Sequence, residues 1–365
     1  MKNIFFILFL LMAQHTFAQT DHKIENLIII TTDGFRWQEV FTGMDSAIAN
    51  MGIYNENARE GIFKKYWADN PEDRRKKLLP FFWNTIGSKG QVYGNRNLGN
   101  YVNVANPYWF SYPGYNEIFT GYPDTLVNSN SYKSNPNTNV LAFLNKFPAY
   151  NGRVAAFGAW EAFERILNEA ESGFPVVNAF KPFGGNNPNA KEKLINNMLK
   201  DSYRIFGNGE CLDVFTHYGA MEAWKKDKLK IMYIAYGETD EFAHSGKYRS
   251  YLDAAHQFDK WLKSIWKTIE SNPEYKGKTA LFITTDHGRG DALLDSKWTS
   301  HGEEVNGADE IWFAVMAPGL VNGKGEIRDK AQYYQKQFAQ TLAGLLGYEF
   351  KANHPVAEGV KEIYK

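Results

Sequence analysis

Phe282-Ile283-Thr284-Thr285-Asp286-His287-Gly288 decides the fold of this chain. The apolar and β-branched run Ala280 to Thr285 predicts a buried strand that delivers an adjacent Asp and His into a glycine turn. Side chains leaving the carboxyl end of such a strand stand at the rim of an open α/β sheet, where ligands of that architecture bind. Asp286 and His287 are therefore placed like site residues. An Asp beside a His is by itself more often a hydrogen-bonded structural pair, so the reading depends on what the rest of the chain offers.

Three other stretches supply it. Leu27-Ile28-Ile29-Ile30-Thr31-Thr32-Asp33-Gly34 has the same grammar of apolar strand, Asp and Gly. Ile231 to Tyr236 predicts another strand, followed by Asp240-Glu241-Phe242-Ala243-His244. The i to i+4 spacing puts Asp240 and His244 one above the other on a helical turn, as two ligands of one ion require. Ser300-His301-Gly302 lies in a polar loop before a strand expected over Ile311 to Ala317. Acids and histidines gathered at strand ends, with no cysteine nearby, point to divalent metals held by oxygen and nitrogen.

The remainder of the chain sets the frame. With 365 residues and 44% hydrophobic content it can bury a large core, and its alternating strand and helix signals suit one α/β domain over residues 19–365. Residues 1–18 read as a secretory signal peptide: Lys2, an apolar core from Ile4 to Met12, and the small-residue pattern Thr16-Phe17-Ala18 before Gln19. An exported protein, periplasmic or secreted, is expected, with no membrane span in the mature chain. Lys plus Arg equals Asp plus Glu, at 41 each, which argues against a nucleic-acid surface. The single cysteine, Cys211, excludes an intrachain disulfide. Helices are expected over Leu78 to Ile86, Tyr251 to Ser271 and Tyr333 to Leu346.

Trp109-Phe110-Ser111-Tyr112-Pro113-Gly114-Tyr115-Asn116-Glu117 places Ser111 immediately before an expected helix start. Pro113 suits the first turn and Glu117 the positive end of that helix. From local signals alone Ser111 is an N-cap. A hydroxyl at a helix N-terminus beside a divalent ion is also a competent nucleophile, and the two roles are compatible.

Taken together, Asp33-Gly34-Phe35-Arg36, the Ser111 to Gly121 segment, Asp240-x-x-x-His244, Asp286-His287-Gly288 and His301 resemble, in order, the motifs of the alkaline phosphatase superfamily, most closely its type I phosphodiesterase/nucleotide pyrophosphatase branch. The resemblance runs from about residue 26 to the C-terminus. It implies a central, mostly parallel sheet flanked by helices on both faces, and two divalent metal ions, a zinc pair, as cofactor. It implies that Asp33, Ser111, Asp286 and His287 hold one ion while Asp240, His244 and His301 hold the other. Ser111 matches the hydroxyl that becomes covalently phosphorylated, and Asn130 matches a donor to the phosphoryl oxygens, with Asn128 nearly as well placed. Tyr115 stands where formylglycine sulfatases carry Arg, which disfavours a sulfatase.

The expected substrate is a small-molecule phosphate ester, and a diester ahead of a monoester. Monoesterases of this superfamily add Lys or Arg contacts to the phosphoryl group, whereas here rings cluster near the motifs: Trp109, Phe110, Tyr112, Tyr115, Tyr122 and Trp160. Of these, Tyr115, Tyr122 and Trp160 are candidate substrate contacts. Arg36, Lys133 and Arg165 remain as cations able to serve a monoester. A reading of another class, an exported glycan-binding module rich in Trp and Tyr, leaves the strand-end acids and histidines without a use.

Overall fold

Strand β1 (Asn26–Thr32) lies near the middle of an eight-stranded sheet, and every one of its residues is buried. The structure, a computed structural model, describes residues 24–291, 297–321 and 325–364; the expected signal peptide lies outside the described residues. The other strands are β2 (Gln91–Tyr93), β3 (Asn100–Asn103), β4 (Val154–Gly158), β5 (Val176–Asn178), β6 (Ile231–Tyr236), β7 (Thr279–Thr284), β8 (Phe313–Met316), β9 (Gly325–Glu326) and β10 (Ala331–Tyr334). The large sheet runs in the order β5-β4-β6-β1-β7-β8-β2-β9, while β10 and β3 form a separate parallel pair. Neighbours from β5 to β7 are parallel, and only β8 runs against its neighbours β7 and β2.

The near-continuous apolar runs of β1, β6 and β7 follow from burial on both faces. Leu27, Ile29, Ile231, Tyr233, Ala280 and Phe282 enter one core cluster, and Ile28, Ile30, Met232, Ile234, Leu281 and Ile283 the other. Each such Leu, Ile or Phe contributes about 1.5–3 kcal/mol through burial. The expected α/β architecture, mostly parallel with helices packed on both faces, is what forms. Register carries this into the site: Thr32 pairs with Tyr236 and Thr31 with Thr284, so the carboxyl ends of β6, β1 and β7 stand level and adjacent.

Two expected helices differ. Leu78 to Ile86 is not one helix: the Pro71–Leu78 helix stops at Leu79 (φ −124°, ψ 67°), and a π-helical turn covers Phe82–Ile86. Pro80 is the cause, since the residue before a proline is pushed out of helical conformation. Tyr333 belongs to β10 and not to the C-terminal helix, which spans Phe338–Leu345. The helix following Asp240 begins at Tyr248 and runs to Ser271.

Candidate metal centre

Asp33 directly follows β1, Asp286 and His287 leave β7, and Asp240 with His244 lies on the short helix Glu238–His244 after β6. Three neighbouring parallel strands thus bring five of the candidate ligands to one edge of the sheet. The helix Ser111–Thr120 approaches the same edge with its N-terminus. Its close approach depends on Gly114, where a Cβ would stand 2.5 Å from the Asp286 carbonyl oxygen. Gly34, at φ +56°, is equally constrained: a Cβ there would lie 2.6 Å from Asp240 Oδ1.

The groups form two sets. In the first, His287 Nε2 lies 3.3 Å from Ser111 Oγ, 3.2 Å from Asp33 Oδ1 and 3.5 Å from Asp286 Oδ2. In the second, His244 Nε2 lies 3.0 Å from Asp240 Oδ2 and 2.9 Å from His301 Nε2, which stands 3.8 Å from Asp240 Oδ1. Asp240 joins the two, since its Oδ1 is also 3.9 Å from His287 Nε2.

The first set fits a cation on its own chemistry. Asp33 Oδ1 and Asp286 Oδ2 are buried and have no well-oriented hydrogen-bond partner among the described residues. Burial and the Asp240 carboxylate raise the Asp33 carboxyl, and burial with Asp33 raises Asp286 well above the usual range. Burial alone would lower His287, but Asp286, Asp33 and Asp240 push it up to about 9. Buried carboxylates crowded in this way demand positive charge. In the second set, burial opposes ionisation of Asp240, yet the Arg289 guanidinium and His244 hold its carboxyl well below the usual range.

Several expected roles change in detail. Ser111 is not the N-cap: Phe110 holds that position, and Ser111 opens the helix with its hydroxyl turned to His287. Asn130 Oδ1 accepts from Tyr112 N at 2.9 Å, which sets this side chain beside Ser111. Asn128 is exposed and lies in the same loop. Glu117 does not sit at the positive helix end; its carboxylate accepts from Ala105 N, Asn106 N and Lys336 N. Of the candidate substrate rings, Trp160 is half-buried at the carboxyl end of β4. Tyr115 is fully buried, and its hydroxyl donates to Asp33 Oδ2 at 3.0 Å, so its ring offers no surface to a substrate. Tyr122 follows the far end of the Ser111 helix, about 15 Å along its axis, and stacks on His354.

Of the three cations held open for a phosphoryl group, two are engaged elsewhere. Arg36 is buried on Glu39, and Arg165 pairs with Glu161 and donates to the Tyr132 carbonyl. Lys133 is exposed. Two residues were missed. Arg289 ion-pairs with Asp240, and it was signalled by its place directly after Asp286-His287-Gly288. Glu210 is buried with one oxygen against Gly237, and nothing in its local sequence marked it.

Residues 196–323 match the family model of the Metalloenzyme superfamily, a segment that contains Asp240, His244, Asp286, His287 and His301. The chain is 23% identical over 351 residues to a probable 2,3-bisphosphoglycerate-independent phosphoglycerate mutase of Leptospira interrogans, covering 88% of this chain and 61% of that protein. A shorter stretch of 85 residues is 32% identical to the 2,3-bisphosphoglycerate-independent phosphoglycerate mutase of Gracilaria tenuistipitata, covering 22% of this chain and 16% of that protein. The chain thus spans less than two thirds of the length of these curated relatives. Among solved structures, the alkaline phosphatase PafA superposes with a TM-score of 0.60 at 11% identity, covering 94% of this chain and 99% of that one. The lipoteichoic acid synthase LtaP of Listeria monocytogenes gives 0.53 at 14% identity, covering 90% and 72%. The phosphonate monoester hydrolase of Silicibacter pomeroyi gives 0.53 at 14%, covering 88% and 73%. Sheet order and superposition define an alkaline phosphatase-like fold. This is the fold the motifs anticipated, and the segment carrying Asp240, His244, Asp286, His287 and His301 is similar to the Metalloenzyme superfamily model.

Proposed function

We propose that the protein is an exported, two-zinc phosphodiesterase that works through a phosphoserine on Ser111. The observation that carries this reading is the convergence at a helix N-terminus of Ser111 Oγ, His287 Nε2 and the Asp33 and Asp286 oxygens that lack a well-oriented hydrogen-bond partner among the described residues. Asp33, Ser111, Asp286 and His287 would hold one ion, and Asp240, His244 and His301 the other. Bound there, the pair supplies Lewis acidity that favours the serine alkoxide, steadies the departing oxygen and lowers the pKa of an attacking water.

The chain's own groups account for the rest. Ser111 Oγ forms the bond to phosphorus as the bond to the leaving alcohol breaks, and water then cleaves the phosphoserine. Asn130 accepts the Tyr112 amide with Oδ1, which leaves its Nδ2 to donate to a phosphoryl oxygen. Tyr115 fixes Asp33 by its Oδ2 and leaves Oδ1 toward His287.

A diester is favoured because two of the three candidate cations are engaged elsewhere, Arg36 by Glu39 and Arg165 by Glu161, as is Arg289 by Asp240, which leaves Lys133 as the exposed one. The half-buried rings of Trp109, Phe110 and Trp160 offer apolar surface to a second organic substituent. The motif resemblance to the phosphodiesterase/nucleotide pyrophosphatase branch supports the same choice. On one zinc-loaded preparation, kcat/KM for bis(p-nitrophenyl) phosphate is expected to exceed that for p-nitrophenyl phosphate. Chelation should abolish both activities and zinc restore them. Preference for the monoester overturns the diester assignment, and full activity in a verified metal-free sample overturns the two-ion scheme.

A further inference from the structure

Arg289 takes no part in the chemistry just described, yet its side chain is fully buried. Its Nη1 ion-pairs with Asp240 Oδ1, Nε donates to the Trp298 carbonyl at 2.8 Å, and Nη2 donates to the Thr299 carbonyl at 2.6 Å. The next residue continues the pattern, with Gly290 N donating to the Ser300 carbonyl at 2.9 Å. Two successive residues after β7 therefore hold three successive carbonyls, and the residue that follows those carbonyls is His301.

A buried guanidinium is costly unless its donors are met, and here a carboxylate and two carbonyls meet the planar fork. A lysine ammonium, a point charge on a flexible stem, does not reproduce that geometry. On the other side of the pair, Asp240 Oδ1 is engaged by Arg289, while Oδ2 lies 3.0 Å from His244 Nε2. Gly34 makes room for this contact, since a Cβ there would come within 2.7 Å of Arg289 Nη1.

We infer that Arg289 is the positioning residue of the Asp240, His244 and His301 set: its guanidinium engages Asp240 Oδ1, leaves Oδ2 to the His244 side, and clamps the 298–300 segment so that His301 Nε2 is held 3.8 Å from that carboxylate before any cation arrives. The inference rests on the ion-binding reading above. It predicts a specific loss. On the full chain, zinc stoichiometry and affinity are measured by competition with a chromophoric chelator for the unsubstituted protein, Arg289→Lys and His301→Gln. The unsubstituted chain binds two zinc ions. Arg289→Lys weakens one of them by about ten- to a hundredfold, the same one that His301→Gln weakens, and leaves the other unchanged. Unchanged affinities at both sites in Arg289→Lys overturn the inference while the ion-binding reading stands, as does equal weakening of both, which marks a general loss of fold. An unsubstituted chain that takes up no zinc overturns the ion-binding reading and the inference with it. Hydrogen exchange on the chelated, unsubstituted chain needs no variant: the Gly290 amide should stay protected without metal. Its free exchange in the folded, metal-free chain shows that the clamp does not form in advance, and overturns the inference independently.

Discussion

The two halves of the centre are built from different material. Asp33, Asp286 and His287 leave strands of the central sheet and are almost entirely buried, whereas in the other, more exposed half His244 stands on a seven-residue helix with its side chain 44% exposed, although Asp240 and the loop residue His301 are only 14% and 11% exposed. Charge differs as well as exposure. The buried half gathers carboxyls whose pKa values burial pushes up, and the chain's own positive group there is His287, raised to about 9. The exposed half already carries Arg289 against Asp240. The difference teaches that one half crowds buried carboxyls around a single histidine, while the other meets its carboxylate with an arginine.

Removing the proposed attacking group should have the largest effect. Ser111→Ala is expected to lower kcat by about a thousandfold or more, with fold and zinc content retained, because a covalent nucleophile has no substitute nearby. Single-turnover kinetics and zinc analysis on the same sample check it. Turnover near that of the unsubstituted chain assigns the attack to another group.

Next comes a paired test of the asymmetry. Asp286→Asn removes a charge from the buried half, and a loss on the order of a hundredfold in kcat/KM is expected, beyond rescue by added zinc. His244→Gln touches the exposed half, where a smaller loss should be largely recovered as zinc is raised. Equal losses with equal zinc dependence erase the distinction between the halves.

Legibility in the sequence followed the same division. Strands β1, β6 and β7 were readable because burial on both faces makes them short unbroken apolar runs, and their ends announced Asp33, Asp286 and His287. Asp240 and His244 were readable from a spacing of four. What failed was inference from nearness in sequence. Tyr122 stands close to Ser111 in the chain, but a ten-residue helix carries it to the far end. Tyr115 lies one turn from Ser111 on the same helix face, and that spacing points it inward beneath the hydroxyl, not outward to a substrate. Glu210 was invisible because its position depends on a loop paired across to Trp160, a contact between residues fifty apart.

Tyr115 gives the smallest and most local test of the buried half. Its ring packs against Phe163 with centroids 4.8 Å apart, so Tyr115→Phe keeps the packing and removes one oxygen atom. That oxygen donates to Asp33 Oδ2, and Tyr233 beside it is hydrogen-bonded to Thr31 at 2.8 Å. Without the phenol, Asp33 Oδ2 is a buried acceptor left unpaired, at a cost of about 1–3 kcal/mol in stability, and the carboxylate is free to rotate away from His287. Zinc affinity of the buried half should fall about tenfold, as loss of a hydrogen bond behind a ligand generally causes, while the exposed half keeps its affinity. Chelator competition reads both sites in one titration. A Tyr115→Phe chain with lower thermal stability but unchanged zinc affinities shows that the hydroxyl serves the fold alone, and a fall confined to the exposed half reverses the assignment of Asp33.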